Sequence, residues 1–299
     1  MQKLLIVIVG PTAVGKTDLS IDFAKNYNAE IISADSRQFY KELSIGTAVP
    51  TNDQLNSVKH NFIHNKSIHE YYNAYKYEQD VIEFLQQYYK THDKAIMTGG
   101  SGMYIDAVCN GIDLIPDIDD KLRNSLIERM ENEGVESLRF ELKKLDPEFY
   151  KLVDLKNKQR ILRALEVCIQ TGKPFSSFRT KSKKEREFKI IKIGLNRDRE
   201  ELYDRINHRV DIMIESGLVK EARSVEQYKN AYALKTVGYR ELFAHFNGEY
   251  DLNKAIELIK RNTRHFARRQ LTWFNKDKEI VWFHPDDKSE ILEQISKNQ

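Results

Sequence analysis

The sequence predicts an α/β fold in which a parallel sheet core is interrupted by an inserted all-helical domain. Three observations carry that expectation. Apolar runs at 4–9, 29–34, 94–98 and 188–195 end in turn residues, as buried strands do. Segments of helical period separate the early runs, which is the alternation that builds a parallel sheet. From about Asn110 to Arg186 no strand pattern appears, and the chain reads as nearly all helix. The core is therefore expected over 1–112 and 188–299, and the helical insertion over 113–187.

Composition narrows the class without deciding it. The 299 residues suffice for two domains, and 40% hydrophobic with 31% charged residues is the mixture of a soluble globular protein. A formal net charge of +3 is too small to imply nucleic acid by itself, so the placement of charge matters more. Cys109 and Cys168 form no C-x-x-C pair, which argues against a disulfide framework or structural zinc and fits a reducing cytoplasm. Leu4 to Val9 is too short for a signal peptide or a membrane span, and no membrane association is expected.

The first strand runs into Gly10-Pro-Thr-Ala-Val-Gly-Lys-Thr17, and a helix-like segment, Asp18 to Tyr27, follows. This is the spacing G-x-x-x-x-G-K-[ST] of a phosphate-binding loop in its required strand–loop–helix context. Gly10 and Gly15 let successive amides converge on an anion that also sits at the positive end of a helix. Lys16 can reach an outer phosphate, and the Thr17 hydroxyl can ligate Mg²⁺. The core thus reads as a P-loop NTPase-like parallel sheet. Pro11, Thr12, Ala13 and Val14 complete the diphosphate- or nucleotide-binding loop.

A second short run, Ala29 to Ala34, ends at Asp35. Ligands of open α/β sheets sit at the carboxyl ends of strands, so Asp35 and the phosphate loop should open into one crevice. As a plain structural residue, Asp35 would cap a helix or form an Asx turn. Lys76 to His92 has helical spacing, and Lys94 to Tyr104 is a strand running into a glycine turn. That strand ends in Thr98, where a generic ATPase places a Mg²⁺-supporting acid.

In the insertion, helices are expected at Asp119–Glu133, Val135–Leu145 and Lys156–Thr171, the last stopped by Gly172-Lys-Pro174. On the third, Ile161, Leu162, Leu165, Cys168 and Ile169 share one face, and Gln159, Arg160, Arg163 and Gln170 share the other. Lys181 to Arg186 is basic enough to form a mobile loop. Beyond the strand 188–195, Leu202, Ile206, Val210 and Met213 make an apolar stripe bordered by Arg205 and Arg209. Ile259 to Phe274 holds five Lys/Arg and no acid. Lys260, Arg264 and Arg268 form one row and Arg261, His265 and Arg269 the next, which suits a phosphate backbone. Glu279 to Phe283 closes the core as a last strand.

Read together, several blocks resemble the tRNA dimethylallyltransferases: GPTAVGKT (10–17), SADSRQFY (33–40), IGTAVP (45–50), GGSGMY (99–104), RILRALEV (160–167), LYDRINHRVDIMIESGLVKEA (202–222), VGYREL (237–242) and KRNTRHFARRQLTWF (260–274). They span the chain in the family's order. The chain departs from the family pattern at Val153–Lys158 and at Phe62–His64.

The resemblance implies transfer of a dimethylallyl group from dimethylallyl diphosphate to the N6 amine of the adenosine beside the anticodon, with diphosphate released. Lys16 and Arg209 would neutralise the leaving group together with Mg²⁺. Asp35, taken as exposed and ionised, would accept the amine proton. Contacts to tRNA would come from Asp35, Ser36, Arg37, Gln38 and Ser101. In the insertion they would come from Arg123 and from Gln159, Arg160, Ile161, Leu162 and Arg163. A cytoplasmic monomer is expected. A P-loop kinase of a nucleotide or small metabolite is the main alternative, and a GTPase-like RNA-binding switch lacks an N-K-x-D motif.

Overall fold

The computed structural model describes residues 2–180 and 183–298 and divides into two compact units, Met1–Cys109 with Glu185–Gln299, and Asn110–Lys184. In chain order the first unit holds β1 (Leu4–Val9), α1 (Lys16–Tyr27), β2 (Ile31–Ser33), α2 (Asn52–Ser57), β3 (His60–Asn61), α3 (Ala74–Tyr88), β4 (Lys94–Gly99) and α4 (Gly102–Asn110). The second unit holds α5 (Asp120–Glu133), α6 (Val135–Leu145), α7 (Pro147–Leu152) and α8 (Lys158–Thr171). The chain then re-enters the first unit as β5 (Lys189–Leu195), α9 (Arg199–Glu215), α10 (Leu218–Ser224), α11 (Tyr239–Phe246), α12 (Leu252–Phe274), β6 (Val281–Phe283) and α13 (Lys288–Lys297).

The six strands form one parallel sheet in the order β3-β2-β4-β1-β5-β6. Every residue of β1 is buried, as a central strand covered on both faces must be. Its pairing brings Val9 beside Gly99 and Gly194. The loops after β1, β2 and β4 therefore leave the same edge of the sheet, which is where a parallel sheet binds ligands. No helix among the described residues is long and apolar enough to cross a membrane.

The second unit has its own core, in which Leu138, Leu142, Ile161 and Leu165 are fully buried. The third helix of the insertion ends at the expected stop, and no further α-helix follows before β5 among the described residues. Gly172 ends α8 in the left-handed conformation, Pro174 follows, and only a short 3-10 turn, Phe175–Phe178, remains. Nor does the basic run 181–186 end as a mobile loop. Residues 181 and 182 lie outside the described residues, but Arg186 pairs with the buried Glu78 at 2.7 Å and donates to the carbonyls of Ala107 and Val108.

Candidate active site

The phosphate loop is shaped by what binds its carbonyls. Lys16 Nζ donates to Gly10 O at 3.0 Å and Pro11 O at 2.8 Å, Arg205 Nε to Ala13 O at 2.9 Å, and Arg197 Nε to Val14 O at 2.9 Å. With its carbonyls turned toward cations, the loop is left to present amide N–H groups to the cleft at the head of α1. Gly10 has φ +148°, and a Cβ there would lie 2.5 Å from Leu195 O, so no larger residue fits beneath the loop. Burial, then the Arg209 charge, push the Lys16 ammonium down to about 7, while Asp35 pulls it back up.

Gln270 pins the loop from the far end of the chain. The Thr12 N–H donates to its Oε1 at 2.8 Å, and its Nε2 donates to Gly100 O at 2.9 Å. A Cβ on Gly100 would sit 2.1 Å from that nitrogen, which explains the glycine. One buried amide thus ties the first phosphate turn to the glycine turn after β4. Arg209 Nη1 reaches Thr12 Oγ1 at 3.4 Å, and burial together with Arg205 lowers its pKa.

Asp35 faces the same cleft, whose volume is about 790 Å³ and whose walls include Thr12 to Asp18, Asp35, Thr98, Arg205 and Arg209. The sequence reading takes Asp35 as exposed, whereas the residue is half-buried in the cleft wall. Burial pushes its pKa up, against the Arg37 amide, which donates to Oδ1 at 2.9 Å, and against the Lys16 and Arg37 charges. Ser36 and Ser101 also meet, since the Ser36 N–H donates to Ser101 Oγ at 2.9 Å.

Gln38 has a structural occupation. Its Oε1 accepts from Ser33 Oγ at 2.9 Å, and its Nε2 donates to Thr47 O at 3.2 Å and Ala48 O at 3.0 Å. Glu221 holds the start of the same loop, accepting from the amides of Ser44, Ile45 and Gly46 and from the Tyr239 hydroxyl. Both side chains thus support the cleft wall built from the IGTAVP block.

In the helical unit, Ile161 and Leu162 belong to the core and present no side chain to a partner, whereas Gln159 and Arg160 are exposed. Glu166, also buried, binds Arg123 through Nε at 2.9 Å and Nη2 at 3.2 Å, and Arg163 through Nη1 at 3.3 Å. Two of the three arginines expected to meet RNA in this unit, Arg123 and Arg163, are therefore held by one carboxylate. Glu166→Gln is expected to cost about 1–3 kcal/mol, the usual range for breaking a buried charged hydrogen bond. A lower urea midpoint for the helical unit checks it.

On the basic helix α12 two cations are tied down and the others are exposed. Lys260 pairs with Asp211 at 2.6 Å and Arg264 donates to Asn207 Oδ1 at 2.6 Å, tying both to α9. Arg261, His265, Arg268 and Arg269 are exposed.

Fold and site together define a phosphate-binding-loop α/β protein with a helical insertion. A family model described as IPP transferase matches residues 38–277, and the chain belongs to that family. It is 54% identical over 295 residues to tRNA dimethylallyltransferase 1 of Phocaeicola vulgatus, covering 99% of this chain and 98% of that one. The protein of the same name from Bacteroides thetaiotaomicron is also 54% identical, over 97% of this chain and 94% of its own. The solved full-length tRNA isopentenylpyrophosphate transferase of Bacillus halodurans superimposes with a TM-score of 0.73 at 33% identity, covering 100% of this chain and 97% of that one. A eukaryotic dimethylallyltransferase solved with tRNA shares the fold at a TM-score of 0.77 and 24% identity, over 95% of this chain and 74% of its own.

Proposed function

We propose that this protein acts as a tRNA dimethylallyltransferase, moving a dimethylallyl group from its diphosphate to the N6 amine of the adenosine 3′-adjacent to the anticodon. The observation that carries this reading is a carboxylate, Asp35, lining the same cleft as the phosphate loop, Lys16 and Arg209. A phosphate site alone fits a kinase. A carboxylate with a raised pKa opposite it fits removal of a proton from a weakly basic amine.

In the proposed step the N6–C1 bond forms as the C1–O bond to diphosphate breaks. The amine proton passes to Asp35, and the departing charge is held by loop amides, Lys16 and Arg209. The donor set also suits Mg²⁺. Among the described residues no three His, Cys, Asp or Glu gather, so the Thr17 hydroxyl would hold the ion together with diphosphate oxygens and water. When bound, the ion supplies further neutralisation of the leaving group.

The target base must leave its stack to reach Asp35. Ser36, Arg37 and Ser101 stand at that position, and Arg160, Gln159, the Arg123–Arg163 pair and the exposed basic residues of α12 supply cationic and polar contacts for the RNA strand. Radiolabelled dimethylallyl diphosphate with undermodified tRNA tests the proposal. Label in the tRNA supports it, and ATP-dependent phosphorylation of a small molecule without prenylation defeats it.

The depressed Lys16 pKa gives a pH signature. Above pH 7 the empty site holds Lys16 largely neutral, and a bound diphosphate restores the ammonium, so binding takes up protons and weakens as pH rises. Below pH 7 the uptake at Lys16 vanishes. Calorimetry at pH 8.5 in buffers of different ionisation enthalpy should show uptake that Lys16→Ala abolishes.

A further inference from the structure

The rim beside Asp35 carries an aromatic feature that prenyl transfer alone does not require. Tyr232 opens a 3-10 turn, Tyr232–Leu234, and its ring is 64% exposed although Ala233 and Leu234 beside it are buried. The turn is thus anchored in the core while the ring stands in solvent. The Arg37 guanidinium lies against this ring, 4.8 Å from its centroid. Arg37 is also the residue whose amide holds the Asp35 carboxylate at 2.9 Å. Tyr232 is thus linked to Asp35 through Arg37, whose side chain meets the ring and whose amide meets the carboxylate.

Two details argue that the pair binds something rather than only packing. Arg37 Nη1 is buried and has no hydrogen-bond partner, an uncommon state for a charged donor. An exposed ring backed by a guanidinium is also a stacking surface that any nucleobase fits, because every base has a π-face. Two more large exposed side chains belong to neighbouring segments, Tyr71 at 49% and Met103 at 46%, the latter directly after the glycine turn that carries Ser101.

Resting on the tRNA reading above, we propose that Tyr232, backed by Arg37, is the seat of the nucleobase adjoining the flipped adenosine. The neighbouring base stacks on the exposed face of the ring, whose other side is backed by the guanidinium. The extruded strand is then gripped on one side of the gap that flipping opens.

Equilibrium binding of a fluorescent anticodon stem-loop to the full chain tests this without turnover. Tyr232→Ala is expected to weaken binding about tenfold, and Tyr232→Phe or Tyr232→Trp to retain it, since stacking needs the ring and not the hydroxyl. An RNA abasic on one side of the target should weaken wild-type binding by a similar factor and add no further loss to Tyr232→Ala. Fully additive losses with abasic RNA on both sides, or a Tyr232→Phe variant as weak as Tyr232→Ala, overturn the proposal. Failure of the wild type to transfer any label condemns the transferase reading, while the binding cycle still decides this one.

Discussion

Asp35→Asn is expected to lower turnover by a factor on the order of 10² to 10⁴, the usual worth of a general base, while leaving diphosphate affinity nearly intact. The amide keeps the shape of the carboxyl and can still accept the Arg37 N–H, so the turn that carries it should survive. What it loses is the capacity to take a proton. That loss matters here because the nitrogen lone pair of the adenine amine is delocalised into the ring and gains nucleophilicity only as its proton leaves. Burial raises the Asp35 pKa and so strengthens it as a base, provided that it stays ionised beside Lys16 and Arg37. Single-turnover transfer to tRNA with saturating donor reads the chemical step directly. Unchanged turnover would remove Asp35 from the role of base and leave it as an Asx turn with a carboxylate in the cleft.

The phosphate loop was legible because its chemistry is local. Two glycines, a lysine and a threonine at fixed offsets follow an apolar run, and all of them lie within eight consecutive residues. The strands were legible for a similar reason, since burial on both faces leaves continuous apolar runs such as Leu4 to Val9. The supports of the site were not. Gln270 holds the Thr12 amide from 258 residues away, and nothing in its own helix marks one polar residue among several as buried. Gln38 lies in a block that the family resemblance assigns to RNA, yet its amide is occupied by Ser33, Thr47 and Ala48. Period analysis places Ile161 and Leu162 on the apolar face of α8, and the structure buries them there, so the resemblance was too generous in counting every residue from 159 to 163 as a contact. A polar face has the same period whether it meets water, RNA or a buried carboxylate. Glu166 was the available clue, three residues after Arg163, but only tertiary structure reveals that it also takes Arg123.

Lys16→Ala should act on the donor rather than on the base, and its effect should be the larger of the two on affinity. In the empty loop Lys16 Nζ is held by the carbonyls of Gly10 and Pro11, so the nitrogen is already placed before any phosphate arrives. A charged hydrogen bond of this kind is worth about 1.5–3 kcal/mol, which predicts a rise of about 10- to 150-fold in the dissociation constant for dimethylallyl diphosphate. Removing it also leaves Arg209, whose pKa is lowered by burial and by Arg205, as the main cation near Thr12. The Arg209 guanidinium cannot be neutralised in the working range, so the variant should keep weak binding that no longer changes with pH near neutrality. The two variants therefore separate along independent axes: Asp35→Asn changes the chemical step at constant donor affinity, and Lys16→Ala changes donor affinity and its pH dependence. A Lys16→Ala enzyme that binds the donor normally would mean that the amides and Arg209 suffice, and that the lysine's placement serves only to hold the loop's carbonyls.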